Sequence, residues 1–355
     1  MEKNSNRECK VCVTGGSGYI GSWLVKKLLG KGHTVHATLR NLEDTTKVGL
    51  LKSLPNADTR LVLFQADLYK SDEFENAIKG CQFVFHVATP MLHTIHTSQY
   101  KGSVEAAVSG VRSIADYCIK SQTVKRLIYT ASVTASSPFK EDGSGYGSSM
   151  NESCWTPLNL SYTSVNEFMM GYTKSKVLAE KEVLRYNEIE NGRLEVVSLT
   201  CGLVAGDTLL SYLPLSLDVT ISQLTGNHSI YQGLCCMQEL SGSVPLIHID
   251  DVCEAHIFCM ERPSLKGRFI CAATDPTIRE MANYYEETYP EFKISQEFMG
   301  GAERGSRCDP TKLMKEGFEN KYDMKKILDD SVECGRRLGV LEPPASTENQ
   351  LVTSA

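Results

Sequence analysis

A short glycine-rich segment, VCVTGGSGYIGSWLV at residues 11–25, constrains the fold of this chain more than any other feature. An apolar run that predicts a strand leads into spaced glycines, and an amphipathic stretch that predicts a helix follows. Gly15 allows a tight turn off the strand, Gly18 lets a ligand approach the backbone, and Gly21 lets the helix pack closely on the strand. The start of such a helix offers free N–H groups and the positive end of its dipole to a phosphate. This context predicts a dinucleotide site rather than a plain strand–turn–helix.

The composition excludes several classes of function. The chain has 355 residues, of which 41% are hydrophobic, and its net charge of −6 argues against nucleic-acid binding. It shows neither an apolar signal segment nor a run of about 18 apolar residues, so we expect a cytoplasmic protein without a membrane span. The thirteen cysteines lie mostly within apolar runs, as reduced thiols would, and we expect no metal site.

Short apolar runs alternate with helical patterns through the first two hundred residues. The predicted strands are Lys10–Thr14, Thr34–Leu39, Leu61–Ala66, Gln82–Val87, Lys125–Thr130 and Leu194–Leu199. The predicted helices between them are Tyr19–Lys31, Ser71–Lys79, Tyr100–Lys120 and Tyr172–Tyr186. This alternation is typical of an α/β fold with a doubly wound parallel sheet of the Rossmann type.

The pattern loosens after about residue 200, and we expect two domains. Residues 1–200 form the dinucleotide-binding domain, and 243–262, a predicted strand followed by a helix, rejoin it. Residues 201–341 form a smaller substrate-binding cap, and the polar residues 342–355 form a disordered tail. We expect a monomer or a weak homodimer.

The end of the second predicted strand distinguishes between two dinucleotides. Arg40 lies nineteen residues after Gly21, close to the ~20 at which an NAD site places an acidic side chain for the ribose hydroxyls. A guanidinium cannot accept those hydrogen bonds, but it pairs well with a 2′-phosphate. Lys47 would add a second positive charge, whereas Glu43 and Asp44 leave open that Arg40 pairs with a carboxylate instead. The sequence therefore favours NADP(H) over NAD(H).

Three side chains predict chemistry at a carbonyl group. The segment GYTKSKVLAEKEVL places Tyr172 and Lys176 four residues apart on one helical face. Ser132 falls at the carboxyl end of an apolar strand, where doubly wound sheets hold their ligands. Because a tyrosine has a pKa of about 10, it needs help to act near neutral pH, and the Lys176 ammonium would supply that help and bind the nicotinamide ribose. With Ser132 holding the substrate oxygen in line, the three predict hydride transfer to a carbonyl, Tyr172 donating the proton.

These motifs resemble the extended short-chain dehydrogenase/reductase family, and within it the plant dihydroflavonol 4-reductase-like group, which includes the anthocyanidin, vestitone and HC-toxin reductases. The resemblance runs from about residue 9 to 340. It is carried by the glycine pattern, the serine after a strand, Y-x-x-S-K, and the segments GSWLVKKLL, FQADL, AIKGCQFVFHVATP, ESCW, IHIDDVCEAHIF and EGFENKYDM.

The resemblance implies site residues beyond those argued from chemistry. Asp67 and Leu68 would touch the adenine, and Val87, Ala88 and Thr89 would line the other half of the cofactor. The expected cofactor-binding residues are then Gly15, Gly18, Tyr19, Ile20, Gly21, Arg40, Lys47, Asp67, Leu68, Val87, Ala88, Thr89, Tyr172 and Lys176. The expected substrate-binding residues are Met91, Ser132, Ser137 and Tyr172.

Two positions depart from the pattern of the dihydroflavonol 4-reductases. Those enzymes carry an asparagine for the flavonoid ring hydroxyls five residues after the catalytic serine, where this chain has Ser137, and Cys201 replaces a proline. We therefore expect NADPH-dependent reduction of another ketone or aldehyde of plant specialised metabolism: flavonoid-like, phenylpropanoid or a toxin carbonyl. Dihydroflavonol 4-reductase or anthocyanidin reductase activity proper is the alternative.

Two other functions fit parts of this pattern. A nucleotide-sugar epimerase would share the fold and the three catalytic residues, but it usually keeps NAD bound, and Arg40 counts against it. A non-catalytic NADP-binding regulator would need the glycine loop without Ser132, Tyr172 and Lys176. Consumption of NADPH with a panel of carbonyl compounds distinguishes an enzyme from such a regulator.

Overall fold

The computed structural model describes residues 8–90, 102–159, 164, 166–189, 192–300 and 305–342, and the elements below lie within them. The strands are β1 Lys10–Thr14, β2 Thr34–Leu39, β3 Leu61–Gln65, β4 Phe83–His86, β5 Arg126–Ser132, β6 Ser149–Met150, β7 Glu195–Cys201, β8 Leu203–Ala205, β9 Leu246–His248, β10 Gly267–Cys271 and β11 Arg307–Cys308. The α-helices are α1 Tyr19–Gly30, α2 Thr45–Lys52, α3 Ala57–Arg60, α4 Glu75–Ile78, α5 Ser103–Ser121, α6 Glu167–Leu184, α7 Leu215–Thr225, α8 His228–Ser241, α9 Ile249–Glu261, α10 Ile278–Thr288, α11 Thr311–Lys315 and α12 Met324–Arg337.

Seven parallel strands form the central sheet, in the order β10-β7-β5-β4-β1-β2-β3. The direction of winding reverses at β1, which pairs with β2 on one side and with β4 on the other. Ligands of such sheets bind at the carboxyl ends of the strands beside this switch point. The predicted doubly wound α/β fold is confirmed, and the glycine-rich segment follows the strand at its switch point.

The six predicted strands all occur, each within two residues of its predicted ends. The predicted helix Ser71–Lys79 is a 3-10 turn, Ser71–Phe74, followed by the short α4. The seventh strand of the sheet, β10, comes from the segment expected to form the cap. The domain boundaries themselves stay a prediction.

Side chains alternate between the two faces of the sheet and give each face its own core. Leu28 of α1 and Val252 of α9 belong to the core on one face, and Ile114 of α5 and Val183 of α6 belong to the core on the other. A third cluster joins α7, α8, α10 and α12, and it includes Val133 from the turn after β5. Among the described residues, no helix combines the length and the apolar character needed to cross a membrane.

Candidate active site

The glycine loop between β1 and α1 is a close-packed turn. Gly15 has a φ of +67°, and a Cβ at this position would lie 3.0 Å from the Ala88 Cα. A Cβ at Gly21 would overlap the Gly15 carbonyl oxygen. Gly21 therefore lets α1 approach the turn itself, whereas the sequence had suggested a close approach to the strand. Helix α1 carries no acidic residue in its first turn, and its free N–H groups favour an anion there.

Thr14, at the end of β1, connects the glycine loop to β4. Its Oγ1 accepts hydrogen bonds from the N–H groups of Val87 and Ala88, both at 3.1 Å, and lies 2.8 Å from His86 Nδ1. Because two N–H groups occupy this oxygen, its own proton goes to the imidazole, which is therefore neutral. Burial and the nearby Lys176 ammonium lower the pKa of His86 to about 3, which agrees with a neutral ring. Sequence reasoning missed Thr14, although a hydroxyl at the end of the strand before a glycine loop is a usable signal.

The structure brings the three predicted catalytic residues together. Ser132 ends β5, while Tyr172 and Lys176 lie one turn apart on α6, and all three line the same cavity. The Lys176 ammonium donates to the Thr130 carbonyl oxygen at 3.1 Å and to Thr89 Oγ1 at 2.9 Å, and lies 5.8 Å from the centre of the Tyr172 ring. The cation is thus held beside the phenol.

Burial controls the protonation of both α6 side chains. It lowers the pKa of Lys176 to about 8, although Cys201 and Glu180 act to raise it. It raises the pKa of Tyr172, while a hydrogen bond with Ser132 acts in the opposite direction. At neutral pH the phenol is therefore protonated and the ammonium charged, which is the state needed to donate a proton.

A cavity of about 880 Å³ extends over the carboxyl ends of the strands. It contains every cofactor residue expected from the sequence, which lie along its wall as Gly15, Gly18, Tyr19, Ile20, Gly21, Arg40, Lys47, Asp67, Leu68, Val87, Ala88, Thr89, Tyr172 and Lys176. Tyr19 Oη is buried and has no hydrogen-bond partner among the described residues.

Arg40 and Lys47 lie together at one end of the cavity, but their surroundings differ. Lys47 Nζ lies 3.0 Å from Asp44 Oδ2, and Asp44 also accepts from the Lys47 N–H as the cap of α2. The Arg40 guanidinium makes no ion pair within the described ranges. Of the two carboxylates that left the role of Arg40 open in the sequence, Asp44 is engaged by Lys47, and neither Asp44 nor Glu43 pairs with Arg40 among the described residues.

The opposite end of the cavity is an apolar wall, formed by the segment after β8 together with α7, α8 and the start of α6. Its residues are Leu210, Tyr212, Pro214, Leu215, Val219, Met237, Phe168 and Met169. Tyr212 and Leu215 remain 55% and 48% exposed, so the wall opens to solvent at its edge. Of the described residues that line the cavity, the basic ones are Arg40, Lys47 and Lys176, and none of them belongs to this wall.

Ser137, expected to contact substrate, is not brought into the cavity. Its buried hydroxyl donates to the Leu240 carbonyl oxygen of α8 and accepts from the Phe139 N–H at 3.1 Å. Its own N–H donates to Thr156 Oγ1 at 2.9 Å. The hydroxyl keeps one lone pair, but the side chain is buried and does not line the cavity, so the structure does not bring Ser137 to the place expected of a substrate contact. Met91, the other residue expected only at the substrate, lies outside the described residues.

Comparison with known proteins agrees with the class that the fold and the site define. Residues 11–271 match the NAD dependent epimerase/dehydratase family, and the chain belongs to this family, as an NAD(P)-dependent oxidoreductase of the short-chain dehydrogenase/reductase type. It is 37% identical over 332 residues to an anthocyanidin reductase of Vitis vinifera, a match that covers 93% of this chain and 96% of that protein. It is 35% identical over 353 residues to a dihydroflavonol 4-reductase of Gerbera hybrida, covering 99% and 92% respectively.

Solved structures show the same relationship. Vestitone reductase from alfalfa (Medicago sativa) superposes with a TM-score of 0.77 and 33% identity, covering 94% of this chain and 100% of that chain. A yeast methylglyoxal/isovaleraldehyde reductase complexed with NADPH shares the fold, with a TM-score of 0.73, 20% identity and coverage of 94% and 100%. The resemblance inferred from the sequence motifs is confirmed.

Proposed function

We propose that the chain is an NADPH-dependent reductase of a ketone or aldehyde of plant specialised metabolism, with Tyr172 as the proton donor and a flavonoid-like compound as the preferred class of substrate. The observation that carries this proposal is that Ser132, Tyr172 and Lys176 share one cavity with Arg40, which makes no ion pair with any residue that the structure describes. A regulator that only binds the dinucleotide would have no use for a buried cation beside a buried phenol.

The walls of the cavity fit NADP(H). Gly15 and Gly21 leave no room for a Cβ, so the backbone is the surface that a pyrophosphate would meet. Arg40 would pair with the 2′-phosphate, and Lys176 and Thr89 would bind the nicotinamide ribose. The bound cofactor would supply the hydride. The NADPH complex of the yeast reductase, which shares the fold, supports the choice of cofactor.

The residues of the chain would then bind the substrate oxygen and supply its proton. Ser132 and Tyr172 would hold the carbonyl oxygen, and Tyr172 would pass its proton to that oxygen as negative charge develops there. The Lys176 ammonium would stabilise the phenolate that remains, and the low polarity around these buried groups would strengthen the effect. Proton donation of this kind contributes about 10²–10⁴-fold to a rate.

The apolar wall supports an aromatic or amphiphilic substrate. Phe168 and Tyr212 offer ring surfaces, while Leu215 and Met237 offer aliphatic ones. A nucleotide sugar would need cations for its phosphates, and this wall has none among its described residues. The relatives are named for an anthocyanidin, a dihydroflavonol and vestitone, which supports a flavonoid-like compound.

Steady-state kinetics with the purified chain test this proposal. The substrates would include a dihydroflavonol, an anthocyanidin, vestitone, a phenylpropanoid aldehyde and a small aliphatic ketone, each with NADPH and with NADH. We expect NADPH to be consumed with at least one aromatic carbonyl compound and more slowly with the aliphatic ketone. Tight NADPH binding without consumption by any of them would favour the non-catalytic regulator.

A further inference from the structure

Thr134 is a polar residue of the cavity to which the mechanism above assigns no role. It lies two residues after Ser132, in the 3-10 turn Val133–Ala135, and its side chain is almost fully buried. Its N–H donates to Ser132 Oγ at 3.3 Å, and its Oγ1 lies 3.0 Å from the same oxygen. Both polar groups of one residue therefore converge on the catalytic hydroxyl.

The direction of the hydroxyl–hydroxyl bond follows from the available partners. Within the described part of the chain, Thr134 Oγ1 has no hydrogen-bond partner other than Ser132. If Ser132 were the donor, the buried Thr134 proton would have no acceptor, and an unsatisfied buried donor is costly. Thr134 is therefore the donor. A hydroxyl has two lone pairs and one proton, so Ser132, which accepts twice from Thr134, has only its proton left to offer.

The turn that carries Thr134 is itself held in place. The Thr134 carbonyl oxygen accepts from Thr156 Oγ1 at 2.6 Å, and the Thr156 N–H donates to the Ala135 carbonyl oxygen at 3.1 Å. These bonds hold the turn against the segment 151–157. The backbone of Thr134 is thus held in place by protein groups and does not depend on a ligand.

We propose that Thr134 is a positioning residue, which keeps the Ser132 hydroxyl as a hydrogen-bond donor: its one proton goes to the Tyr172 oxygen before substrate binds and to the substrate oxygen afterwards. The role rests on the proposed carbonyl reduction. Without the Thr134 hydroxyl, a lone pair of Ser132 is free to accept the Tyr172 proton, which is then turned away from the substrate. The effect acts on proton transfer and leaves the cofactor site unchanged.

Two matched pairs of variants isolate the hydroxyl. Wild type and Thr134→Val differ mainly in the hydroxyl, and so do Thr134→Ser and Thr134→Ala, which both lack the methyl group. We expect Val and Ala to lower kcat roughly two- to tenfold, the worth of one hydrogen bond, while Ser recovers most of the wild-type kcat. KM for the carbonyl compound should change less than kcat, and the Kd for NADPH, measured by fluorescence, should not change.

Three results would overturn this role. One is a wild-type kcat in Thr134→Val, another is an equal loss in the Val and Ser variants, and the third is a loss that appears in KM or in NADPH affinity alone. If Thr134→Val does not fold, the comparison of Ser with Ala gives the answer. A wild type that reduces no carbonyl compound would overturn the proposed function and this role with it. An active wild type whose Thr134 variants keep the same kcat would overturn this role alone.

Discussion

The Lys176 ammonium lies 5.8 Å from the centre of the Tyr172 ring and is fixed there by the Thr130 carbonyl oxygen and by Thr89 Oγ1. Two strands and one helix meet to make this arrangement, since Thr130 lies on β5, Thr89 follows β4 and the two catalytic side chains lie on α6. A cation fixed beside a phenol stabilises the phenolate and so helps the phenol to release its proton.

The reaction should weaken at alkaline pH. Burial lowers the pKa of Lys176 to about 8, so the ammonium is present below that pH and is lost above it. The groups around it are His86, which stays neutral, Tyr172, whose pKa is raised, and Cys201 and Glu180. We predict that kcat/KM for carbonyl reduction is level near neutral pH and falls as pH rises through about 8. A kcat/KM that increases through this range would contradict the assignment.

Arg40 should set the preference for NADPH. Replacement of Arg40 by Ala removes a charge-assisted contact with the 2′-phosphate, worth about 1.5–3 kcal/mol, and we predict a rise in KM for NADPH of roughly 10- to 150-fold with little change for NADH. Lys47→Ala is the matched control, because Lys47 is already paired with Asp44, and its effect should be smaller. An equal rise in KM for both cofactors would show that Arg40 does not contact the 2′-phosphate.

Two glycines of α1 should respond oppositely to the same substitution. A Cβ at Gly21 would overlap the Gly15 carbonyl oxygen, whereas a Cβ at Gly30 would meet nothing within 4 Å. We predict that Gly21→Ala lowers both the melting temperature and the affinity for the cofactor. Gly30→Ala should be neutral or should stabilise the protein by up to about 1 kcal/mol. Equal melting temperatures for the two variants would mean that the close approach of α1 to the turn is not needed.

A buried ion pair between α6 and β10 should matter for the stability of the folded protein. The Arg268 guanidinium donates to both oxygens of Glu180 at 2.9 and 3.0 Å, stacks on the Trp155 ring and donates to the Ala135 carbonyl oxygen, and both charged side chains are buried. Removal of one partner leaves a buried charge, so we predict that Arg268→Met lowers the free energy of unfolding by about 3–5 kcal/mol.

The exposed pair Arg112–Glu182 provides the control for that measurement. It links α5 and α6 with an N–O distance of 2.8 Å, but Arg112 is 53% exposed. Arg112→Ala should lower the free energy of unfolding by about 0–1 kcal/mol, because water screens such a pair. Denaturant titrations should therefore give clearly different free energies of unfolding for the two variants. Similar losses would show that burial of Arg268 adds nothing to the contribution of its ion pair.

Much of the fold was predictable because its signals are local. The strand periodicity and the glycine loop depend on residues close in sequence, and six strands of the sheet lie within two residues of their predicted ends. The strand β10 was missed because it lies within the segment expected to form the cap and pairs with β7, about 70 residues earlier, and such pairing leaves no local pattern. The site residues at strand ends were predictable because they directly follow strands whose sequence patterns are local.

The orientation of single side chains was not predictable. Ser137 lies five residues after Ser132 in the sequence, but its hydroxyl donates to the carbonyl oxygen of Leu240, 103 residues away in the chain. Thr134 is one of several hydroxyl residues in TASVTASS, and nothing in that segment singles it out before its distance to Ser132 Oγ is known. Sequence patterns predict which strand ends carry the site, whereas tertiary packing decides which side chains near those ends face into it.

Turnover of Tyr172→Phe is the most direct test of the central claim, that this chain reduces a carbonyl group with Tyr172 as the proton donor. The variant keeps the aromatic ring and loses only the hydroxyl. Tyr129→Phe is the matched control, because Tyr129 is also buried and lies 5.6 Å from the Lys176 ammonium but does not line the large cavity. We predict that Tyr172→Phe lowers kcat by about 10²–10⁴ with NADPH still bound at near wild-type Kd, while Tyr129→Phe keeps most of the activity. A Tyr172→Phe enzyme that still turns over at a substantial fraction of the wild-type rate would contradict the account.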